Sequence, residues 1–526
     1  MSDLSAQQQR ALKDLLGASR FAHVASDLGE RFDRAGHELY LVGGSVRDAL
    51  LGRPSTDLDC TTDARPQEIK QILADWEPAA VWLQGERFGT VGARKGPVSV
   101  EITTFRAEVY RSESRKPVVT FGERIQDDLA RRDFTINAMA VRLPSGRFVD
   151  PFGGLADLAG HRLRTPSAPT TSFDDDPLRM LRAARFVAQL GCTIAPATEG
   201  ALVERVDRLG IVSAERIRDE LSKLLETAKP GEGIRVCVRT GLAGVFLPEL
   251  PALALAQDPV HRHKDVLRHS IAVLDRAAAL DQDAPDLTVR MAALLHDIGK
   301  PRTRRFGPQG VSFHMHETVG AKMAAQRLRE LRYPRQFVDD VAELIRLHMR
   351  FHGYGEVWTD SAVRRYVHDA GPLLERLNRL VRSDCTTRNP ARARRLAGRM
   401  DALEERIARL AAEEERARLA KPAIDGHEVM RLLGVPPGPV VGRALAHLSE
   451  LRLERGPTSP DETRAELLRW AKEHDLETTG ASAEATAAGH AVGQAPGKTP
   501  GEAAGEAPGD TPGEAAGEAS GEAAGA

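Results

Sequence analysis

Two aspartates that could hold magnesium lie close together in the N-terminal part of the chain. Asp57 and Asp59 are separated by a single residue in TDLDCTT, a segment that reads as a β-strand. On a strand, residues i and i+2 project to the same face, so both carboxylates converge on one site. Hard carboxylate oxygens, together with substrate phosphates, are the ligands that Mg²⁺ prefers. Metal ions held there would activate an attacking hydroxyl and stabilise a leaving pyrophosphate.

A glycine pair that suits phosphate binding precedes these aspartates. Gly43 and Gly44 follow the strand-like ELYLV and open the helix-like SVRDALLG. Without side chains, they let backbone N–H groups approach a phosphate at a helix start. Arg47 adds a guanidinium one turn later, and Glu101, on the predicted strand VEITTF, is a candidate third carboxylate. An isolated DxD or GG more often marks a turn, so it is their joint order that favours catalysis.

A second set of possible metal ligands lies in the middle of the chain. Its core consists of His269, His296, Asp297 and Asp384. Imidazole and carboxylate groups suit a divalent transition metal, and water bound there can attack phosphoesters. His314, His316 and His348 could extend or line this site. A single histidine is more often a packing or surface residue, so the ordered set carries the prediction.

Five charged residues between these sites are spaced as on one helix face. They are Asp175, Asp176, Arg179, Arg182 and Arg185. Residues three apart are neighbours on a helix, so the spacing predicts one ridge of charge. A carboxylate can accept from the exocyclic amino group of C or A, and an arginine can donate to ring acceptors. A solvated basic face is the alternative.

These residues require two kinds of scaffold. Strand–helix–strand–helix–strand order predicts an α/β domain through about residue 160. From about 174 to 477 the pattern is almost wholly helical, with Gly/Pro breaks near 229–231, 248–259, 353–355 and 434–438. The segment from about 478 is acidic, rich in Gly, Ala, Glu and Pro, and nearly free of large apolar residues. Such a segment is expected to be disordered.

Composition excludes several classes of protein. Aromatic residues make up 5% of the chain, which argues against nucleic-acid binding mainly by base stacking. The four cysteines lie far apart without a CxxC pair, which argues against a structural zinc site and favours a reducing compartment. No apolar run approaches a membrane span. A cytoplasmic protein with no membrane partner is expected.

Five ordered blocks resemble bacterial class II CCA-adding tRNA nucleotidyltransferases and the related poly(A) polymerases. The blocks are LVGGSVRDALLGRPSTDLDCTTDA, GERIQDDLARRDFTINAMA, VDPFGGLADLAGHRLR, DDPLRMLRAARF and SAERIRDELSKLL. The resemblance implies a polymerase-β-like α/β nucleotidyltransferase head, then an all-helical neck, HD domain and tail. The corresponding limits are 1–165 for the head, 166–255 for the neck, 256–390 for the HD domain, 391–477 for the tRNA-binding tail and 478–526 for the disordered C-terminus.

The resemblance also implies roles for individual residues. Ribose and triphosphate would be contacted by Arg131, Arg132, Asp133 and Asn137. The alternative for this group is a capped, salt-bridged helix start. Base selection would fall to Asp176 and Arg179, with Arg182 and Arg185 holding the nucleotide. Asp150 and the glycines after it resemble the connection between head and neck.

The reaction implied is addition of C, C and A from CTP and ATP to a tRNA 3′ end, with Mg²⁺ in the head. Alternatives are a poly(A) polymerase, a C-only or A-only enzyme, and a phosphohydrolase of RNA ends whose head only binds RNA. A nonenzymatic RNA-binding protein is also conceivable. The HD segment and the GVPPGP helical module favour the tRNA enzyme. The HD site, with a transition metal, would act on 2′,3′-cyclic phosphates or phosphate at damaged RNA ends. Oligomeric state stays open.

Overall fold

A seven-stranded mixed sheet carries the first carboxylate site. Its strands are β1 (Leu39–Val42), β2 (Asp57–Thr62), β3 (Ala80–Trp82), β4 (Thr90–Lys95), β5 (Val98–Thr104), β6 (Ala140–Leu143) and β7 (Arg147–Val149). The strand order is β3-β4-β5-β2-β1-β6-β7. The β2–β5 pair is parallel, whereas the other neighbouring strands are antiparallel. The predicted α/β head is therefore confirmed.

The computed structural model describes most of the chain. The described residues are 20–53, 57–83, 85–106, 121–255, 265–307, 310–353, 358–385, 389–455, 458–474 and 476. The segment 478–526, expected to be disordered, and the first 19 residues lie outside this set. The chain divides into two units, one ending at Ala411 and the other beginning at Ala412.

Five short helices accompany the sheet. They are α1 (Arg20–Arg34), α2 (Gly44–Leu50), α3 (Pro66–Asp75), α4 (Ile125–Ala130) and α5 (Gly154–Ala159). Helix α2 begins at Gly44, the second residue of the glycine pair, and α3 begins at Pro66, whose missing N–H is tolerated at the first helical position. Alternate residues of β1 enter different cores, with Leu39 and Leu41 in the larger one and Tyr40 and Val42 in a smaller one. This alternation is the strand period of two.

Helices dominate the rest of the first unit. The neck contains α6 (Pro169–Asp175), α7 (Leu178–Leu190), α8 (Pro196–Glu204), α9 (Ala214–Leu225), α10 (Pro230–Arg239) and α11 (Leu242–Phe246). Next come α12 (Val266–Ala279), α13 (Leu287–Leu295), α14 (Lys300–Thr303), α15 (His316–Glu330), α16 (Arg335–Leu347), α17 (Arg350–Gly353), α18 (Asp360–Ala370), α19 (Leu374–Asp384) and α20 (Pro390–Ala420). The boundary between the two units, at Ala411, lies within α20.

Two small β elements interrupt this helical region, and the sequence pattern missed both. A parallel pair joins β8 (Arg162–Leu163) to β9 (Thr193–Ile194). A hairpin joins β10 (Arg305–Gly307) to β11 (Gly310–Ser312). Strands of two or three residues are too short to show a period, so only pairing reveals them.

The predicted single ridge of charge is wrong at its N-terminal end. Helix α6 ends at Asp175, and Asp176 is extended, with φ −142° and ψ 97°. Pro177 then precedes α7. A proline disfavours helical geometry in the residue before it, which accounts for the break. Only Arg179, Arg182 and Arg185 share one helix.

The second unit has a core of its own. It contains α21 (Gly426–Leu433), α22 (Pro439–Arg455) and α23 (Pro460–Glu473). Gly434, with φ 63°, ends α21, and Val429, Leu448 and Trp470 are among the buried residues. The predicted helix–turn–helix around GVPPGP is present. Among the described residues, no helix combines the length and apolar character that crossing a membrane requires.

Candidate functional site

The turn between β1 and α2 adopts a backbone conformation that suits glycine. Gly43 has φ 72° and ψ −131°, a region that costs residues with a Cβ about 1–3 kcal/mol. A methyl group built on Gly43 would lie 3.0 Å from Nη1 of Arg132 and 4.0 Å from Oδ2 of Asp59. The glycine turn, an arginine that follows α4 and a carboxylate of β2 therefore enclose one small space.

Two carboxylates stand side by side at this space. The parallel register of β2 and β5 places Asp59 beside Glu101, and both residues are exposed while Leu58 and Cys60 are buried. Position 57 lies on the same face of β2, two residues before Asp59. An all-carboxylate set of oxygen ligands fits Mg²⁺. The structure thus places the predicted third carboxylate, Glu101, beside Asp59 on the neighbouring strand.

Arg131 and Arg132 are anchored by a buried acid that the sequence reading did not single out. Asp128 is fully buried and accepts from Nη2 of Arg131 at 2.7 Å and Nη2 of Arg132 at 3.1 Å. Burial raises the pKa of Asp128, but the two guanidinium groups outweigh it and leave the pKa below its ordinary value. The sequence does contain a signal for this contact: an acid that lies three and four residues before two arginines can reach both of them on one helix face.

Asp133 is the centre of a buried hydrogen-bond network. Its Oδ1 accepts from Nδ2 of Asn137 at 2.9 Å and from the backbone N–H of Phe134 at 2.8 Å. Its Oδ2 accepts from Nε of Arg182 at 2.9 Å. Asn137 in turn accepts from Nη1 of Arg47 at 2.7 Å. Burial raises the pKa of Asp133, yet Arg182 holds it well below its ordinary value. The Asp133–Arg182 pair therefore joins the head to α7.

Three arginines surround the buried ring of Phe186. The guanidinium carbons of Arg185, Arg47 and Arg182 lie 4.3, 5.3 and 5.6 Å from its centroid. A cation within about 6 Å of a ring centroid is attracted by the ring quadrupole. Arg185 also pairs with buried Glu220, which lies 4.0 Å from Arg182. Positive charge is therefore concentrated beside the sheet and partly balanced by buried acids.

Asp176 and Arg179, expected to select the base together, contact different partners. Asp176 accepts two bonds from Nη2 of Arg216, at 2.9 and 3.1 Å. Arg179 is buried and donates to Oγ of Ser172 at 2.9 Å and to the carbonyl oxygen of Arg131 at 2.5 Å. The sequence reading did not include Arg216, which lies on α9 just after the capping Ser213. Only its place in the block SAERIRDELSKLL pointed to it.

The four predicted core ligands of the second site meet near the ends of helices. Nε2 of His269 lies 3.0 Å from Oδ1 of Asp384 and 3.3 Å from Nε2 of His296. Oδ2 of Asp297 lies 3.3 Å from Nε2 of His296. His296 and Asp297 are both almost completely buried. Residues that are far apart in sequence thus form one cluster.

A second group of ligand atoms shares Asp297. Nε2 of His316 lies 3.5 Å from Oδ1 of Asp297, and His348 completes a group whose ligand atoms lie within 4.8 Å of one another. His314, the third histidine considered from the sequence, is exposed. The two oxygens of Asp297 therefore approach different potential metal ligands, His296 and His316.

The buried histidines are held in the orientation that metal binding needs. Nδ1 of His296, His316 and His348 lies 2.9, 2.8 and 2.6 Å from a backbone carbonyl oxygen three residues earlier. A carbonyl can only accept, so Nδ1 donates to it, and Nε2 is the nitrogen of each ring that is left to face a metal. Nε2 of His316 is buried and has no hydrogen-bond partner among the described residues. Burial lowers the pKa of His348 to about 3, which keeps the neutral, metal-binding form.

Three segments match known protein families. Residues 39–164 match the Poly A polymerase head domain, and residues 266–417 match the HD domain. Residues 191–253 match the family described as the probable RNA and SrmB-binding site of polymerase A. The first range contains the carboxylates of the sheet, and the second contains the histidine cluster.

Relatives match nearly the whole chain. An A-adding tRNA nucleotidyltransferase from Deinococcus radiodurans is 38% identical over 444 residues, 82% of this chain and 95% of that protein. A CC-adding tRNA nucleotidyltransferase from Thermus thermophilus is 33% identical, covering 84% and 96%. A CCA-adding enzyme from Latilactobacillus sakei is 40% identical over 45% of this chain and 58% of its own length. The crystal structure of the Bacillus stearothermophilus CCA-adding enzyme with CTP covers 90% of this chain and 99% of that one, with 25% identity and a TM-score of 0.52. Similarity that extends through almost the full length of two tRNA nucleotidyltransferases confirms the resemblance, and the chain belongs to this family of tRNA nucleotidyltransferases with a poly(A) polymerase head domain and an HD domain.

Proposed function

We propose that this nucleotidyltransferase adds C, C and A from CTP and ATP to the 3′ end of tRNA and releases pyrophosphate. The observation that carries the proposal is the meeting of Gly43, Arg132 and Asp59, with Glu101 beside Asp59. A triphosphate in this space would meet backbone N–H groups and a guanidinium on one side. On the other side it would meet the carboxylates.

In this proposal, different residues of the head bind the metal and the triphosphate. Asp57 and Asp59 would hold magnesium, with Glu101 as the neighbouring carboxylate. When bound, magnesium neutralises the triphosphate and lowers the pKa of the attacking 3′-hydroxyl. Arg132, fixed by Asp128, would pair with phosphate oxygens and thereby orient the leaving pyrophosphate.

Base selection is assigned to Asp176 and Arg179, with Arg182 and Arg185 beside them. C and A both carry an exocyclic amino group that a carboxylate accepts from, and both offer ring acceptors to a guanidinium. Arg216 holds the carboxylate of Asp176 by two hydrogen bonds. Side chains anchored in this way would read the nucleotide without a template strand.

Partial addition is the second candidate function. The two relatives matched nearly end to end are named as A-adding and CC-adding enzymes. The CCA-adding relative is matched over 45% of this chain, although the fold of a CCA-adding enzyme extends over 90% of it. All three reactions would use the same carboxylates, so the product has to be measured.

Two tRNA substrates separate these reactions. One transcript ends at the discriminator base and the other ends in CC, and each is given CTP, ATP or both. We expect C, C and A on the first transcript and A on the second. An enzyme that extends only the CC-ended transcript is A-adding, and one that stops after CC is CC-adding. Asp57→Ala combined with Asp59→Ala should abolish every addition, whereas Asp75→Ala, an exposed aspartate of the same domain, should not. Addition that survives the double substitution would refute the assignment.

We propose that the HD cluster is a metal-dependent phosphohydrolase of RNA ends. Its five buried or half-buried ligands around Asp297 fit a divalent transition metal. When bound, a metal would supply an activated water for hydrolysis of a 2′,3′-cyclic phosphate. Hydrolysis would add the oxygen of water to the phosphorus, break the bond from phosphorus to O3′ and leave a proton on O3′. The products are a 2′-phosphate and the free 3′-hydroxyl that the head extends.

One substitution tests this second activity. Asp297→Ala should abolish hydrolysis of RNA that ends in a 2′,3′-cyclic phosphate, because it removes the carboxylate shared by both ligand groups. Nucleotide addition to an intact tRNA should continue. Loss of both activities would instead assign a structural role to the cluster.

We also propose the domain limits 1–165, 166–255, 256–390 and 391–477, with the last segment binding tRNA. The matched ranges 39–164 and 191–253 support the first two, and the HD match begins at 266 and continues into α20. A reducing compartment, the cytoplasm, is supported by four free cysteines, three of them buried.

A further inference from the structure

The two most exposed large apolar side chains of the described residues lie on the segment between Asp297 and His316. Phe306 is 66% exposed and Met315 is 60% exposed, more than any other large apolar side chain that the structure describes. Only 5% of the chain is aromatic, and most of its phenylalanines that can be described are buried or half-buried. An apolar ring left in water is an unfavourable arrangement that a ligand would relieve.

The residues on both sides of the β10–β11 hairpin form hydrogen bonds with residues of the HD cluster. On one side, Lys300 at the start of α14 donates to Oδ2 of Asp297 at 2.7 Å. On the other side, the carbonyl oxygen of Phe313 accepts from Nδ1 of His316 at 2.8 Å. The ring of Phe313 lies 5.6 Å from Nζ of Lys300, which closes the base of the hairpin. The base of the hairpin therefore lies next to the HD cluster.

The hairpin and its flanks are positively charged. Between Asp297 and Glu317 the sequence contains no acid, and its cations are Lys300, Arg302, Arg304 and Arg305. Arg302 and Arg305 are exposed. The guanidinium carbon of Arg304 lies 4.6 Å from the ring centroid of Phe306. Cations next to an exposed ring bind the phosphates and bases of single-stranded nucleic acid.

Met315 shows backbone strain at the same place. Its φ of 63° lies in the left-handed region, which is uncommon for residues other than glycine. The next residue, His316, begins α15 and is a buried member of the cluster. Strain of this kind persists where the surrounding structure holds it, often at functional sites. Here it places an exposed apolar side chain next to a metal ligand.

We propose that the β10–β11 hairpin binds the single-stranded 3′-terminal nucleotides of RNA and presents the terminal phosphate to the HD cluster. A base stacks on Phe306, and Arg302 and Arg305 pair with backbone phosphates. The proposal rests on the hydrolase function proposed for the cluster. RNA is the occupant that fits, because the surface is cationic and aromatic, the cluster suits phosphoesters, and the head belongs to a family that extends RNA ends.

Two substrates distinguish a defect of the hairpin from a defect of the metal centre. One is a short RNA ending in a 2′,3′-cyclic phosphate, and the other is abasic ribose 2′,3′-cyclic phosphate, a small diester that has no ring to stack on Phe306. In the full-length protein, Phe306→Ala and Arg305→Ala should each lower kcat/KM for RNA about tenfold more than for the small diester. Tenfold corresponds to about 1.4 kcal/mol, within the range of one stacked base. The loss should appear in KM, and Phe306→Tyr should restore most of it.

Matched controls come from exposed residues of the same region. Leu280 is 40% exposed and the side chain of Arg335 is 95% exposed, so Leu280→Ala and Arg335→Ala remove comparable groups elsewhere. Neither should change the ratio of the two substrates. Equal losses on RNA and on the small diester, or an equal change in the controls, would overturn the proposal.

A wild-type protein that hydrolyses neither substrate would refute the hydrolase function, and the hairpin is then tested by binding alone. RNA with 4-thiouridine at its 3′ end is cross-linked to the full-length protein, and the modified peptides are identified by mass spectrometry. Cross-links to the peptide that contains Arg305 and Phe306 support the proposal. Cross-links confined to other parts of the chain overturn it, as does equally strong competition by polyglutamate, which would indicate an acidic protein partner.

Discussion

Replacing Gly43 with alanine tests whether the glycine turn, Arg132 and Asp59 form one phosphate site. At φ 72° and ψ −131°, an alanine costs about 1–3 kcal/mol of folding free energy. Its methyl group would also lie 3.0 Å from Nη1 of Arg132, so that guanidinium has to move by a few tenths of an ångström. Buried Asp128 holds the same guanidinium, and the displacement therefore disturbs an arginine that we assign to the phosphates.

Gly52 provides a matched control at the other end of α2. It has φ 69°, and a methyl group built on it would meet nothing within 4 Å. Gly52→Ala should therefore cost about 1–2 kcal/mol through backbone strain alone. The two variants share the strain, and only Gly43→Ala crowds the proposed site.

The assay combines unfolding in urea with CTP incorporation into tRNA. We expect the unfolding free energies of the two variants to differ by less than ~2 kcal/mol. In contrast, kcat/KM should fall about 100-fold or more in Gly43→Ala, the loss typical of one misplaced electrostatic contact, and should stay near the wild-type value in Gly52→Ala. Equal activity losses in the two variants, or wild-type activity in Gly43→Ala, would refute the reasoning.

Three further predictions follow from the other contacts. Asp133→Asn and Arg182→Gln should each destabilise the fold by about 2–4 kcal/mol, and a double-mutant cycle in urea should show coupling of about 1–3 kcal/mol; additive effects would contradict the network. Because the folded pKa of Asp133 is lowered, this stabilisation is present above about pH 4 and disappears as the pH falls through the lowered pKa. Arg216→Ala should raise KM for CTP and ATP several-fold with little loss of stability, since an exposed ion pair contributes about 0–1 kcal/mol; unchanged KM values would argue against a role in selection. His348→Ala should lower the transition metal bound per chain, measured by mass spectrometry, while His314→Ala should not; equal metal in both would count against two ligand groups.

The secondary structure of the head could be predicted from the sequence because each element has its own pattern within a short stretch of the chain. The strand β1, the glycine turn, α2 and β2 follow one another within residues 39–62, and each has its own period or breaking residue. Glu101 could be placed on a strand but not beside Asp59. That neighbour relation depends on the parallel pairing of β2 and β5, which no short stretch of sequence specifies.

The contacts of the arginines could not be predicted from the local sequence. Their spacing indicated one ridge of charge, yet Pro177 separates Asp176 from the helix that carries Arg182. Arg182 pairs with Asp133, 49 residues away in the chain. Spacing of three residues describes neighbours on a helix, and it contains no information about partners brought in from another element.

The sequence alone indicated a nucleotidyltransferase head followed by an HD domain, the residue types of both candidate metal sites and the family to which the chain belongs, because ordered motifs and periodicity are properties of the chain itself. Tertiary structure decided which groups meet. It added Asp128 and Arg216, left His314 exposed and outside the two ligand groups, and revealed a short hairpin that carries an exposed phenylalanine ring. The physical reason is that side-chain contacts and burial depend on the packing of distant segments, whereas helix and strand periods depend on neighbours along the chain.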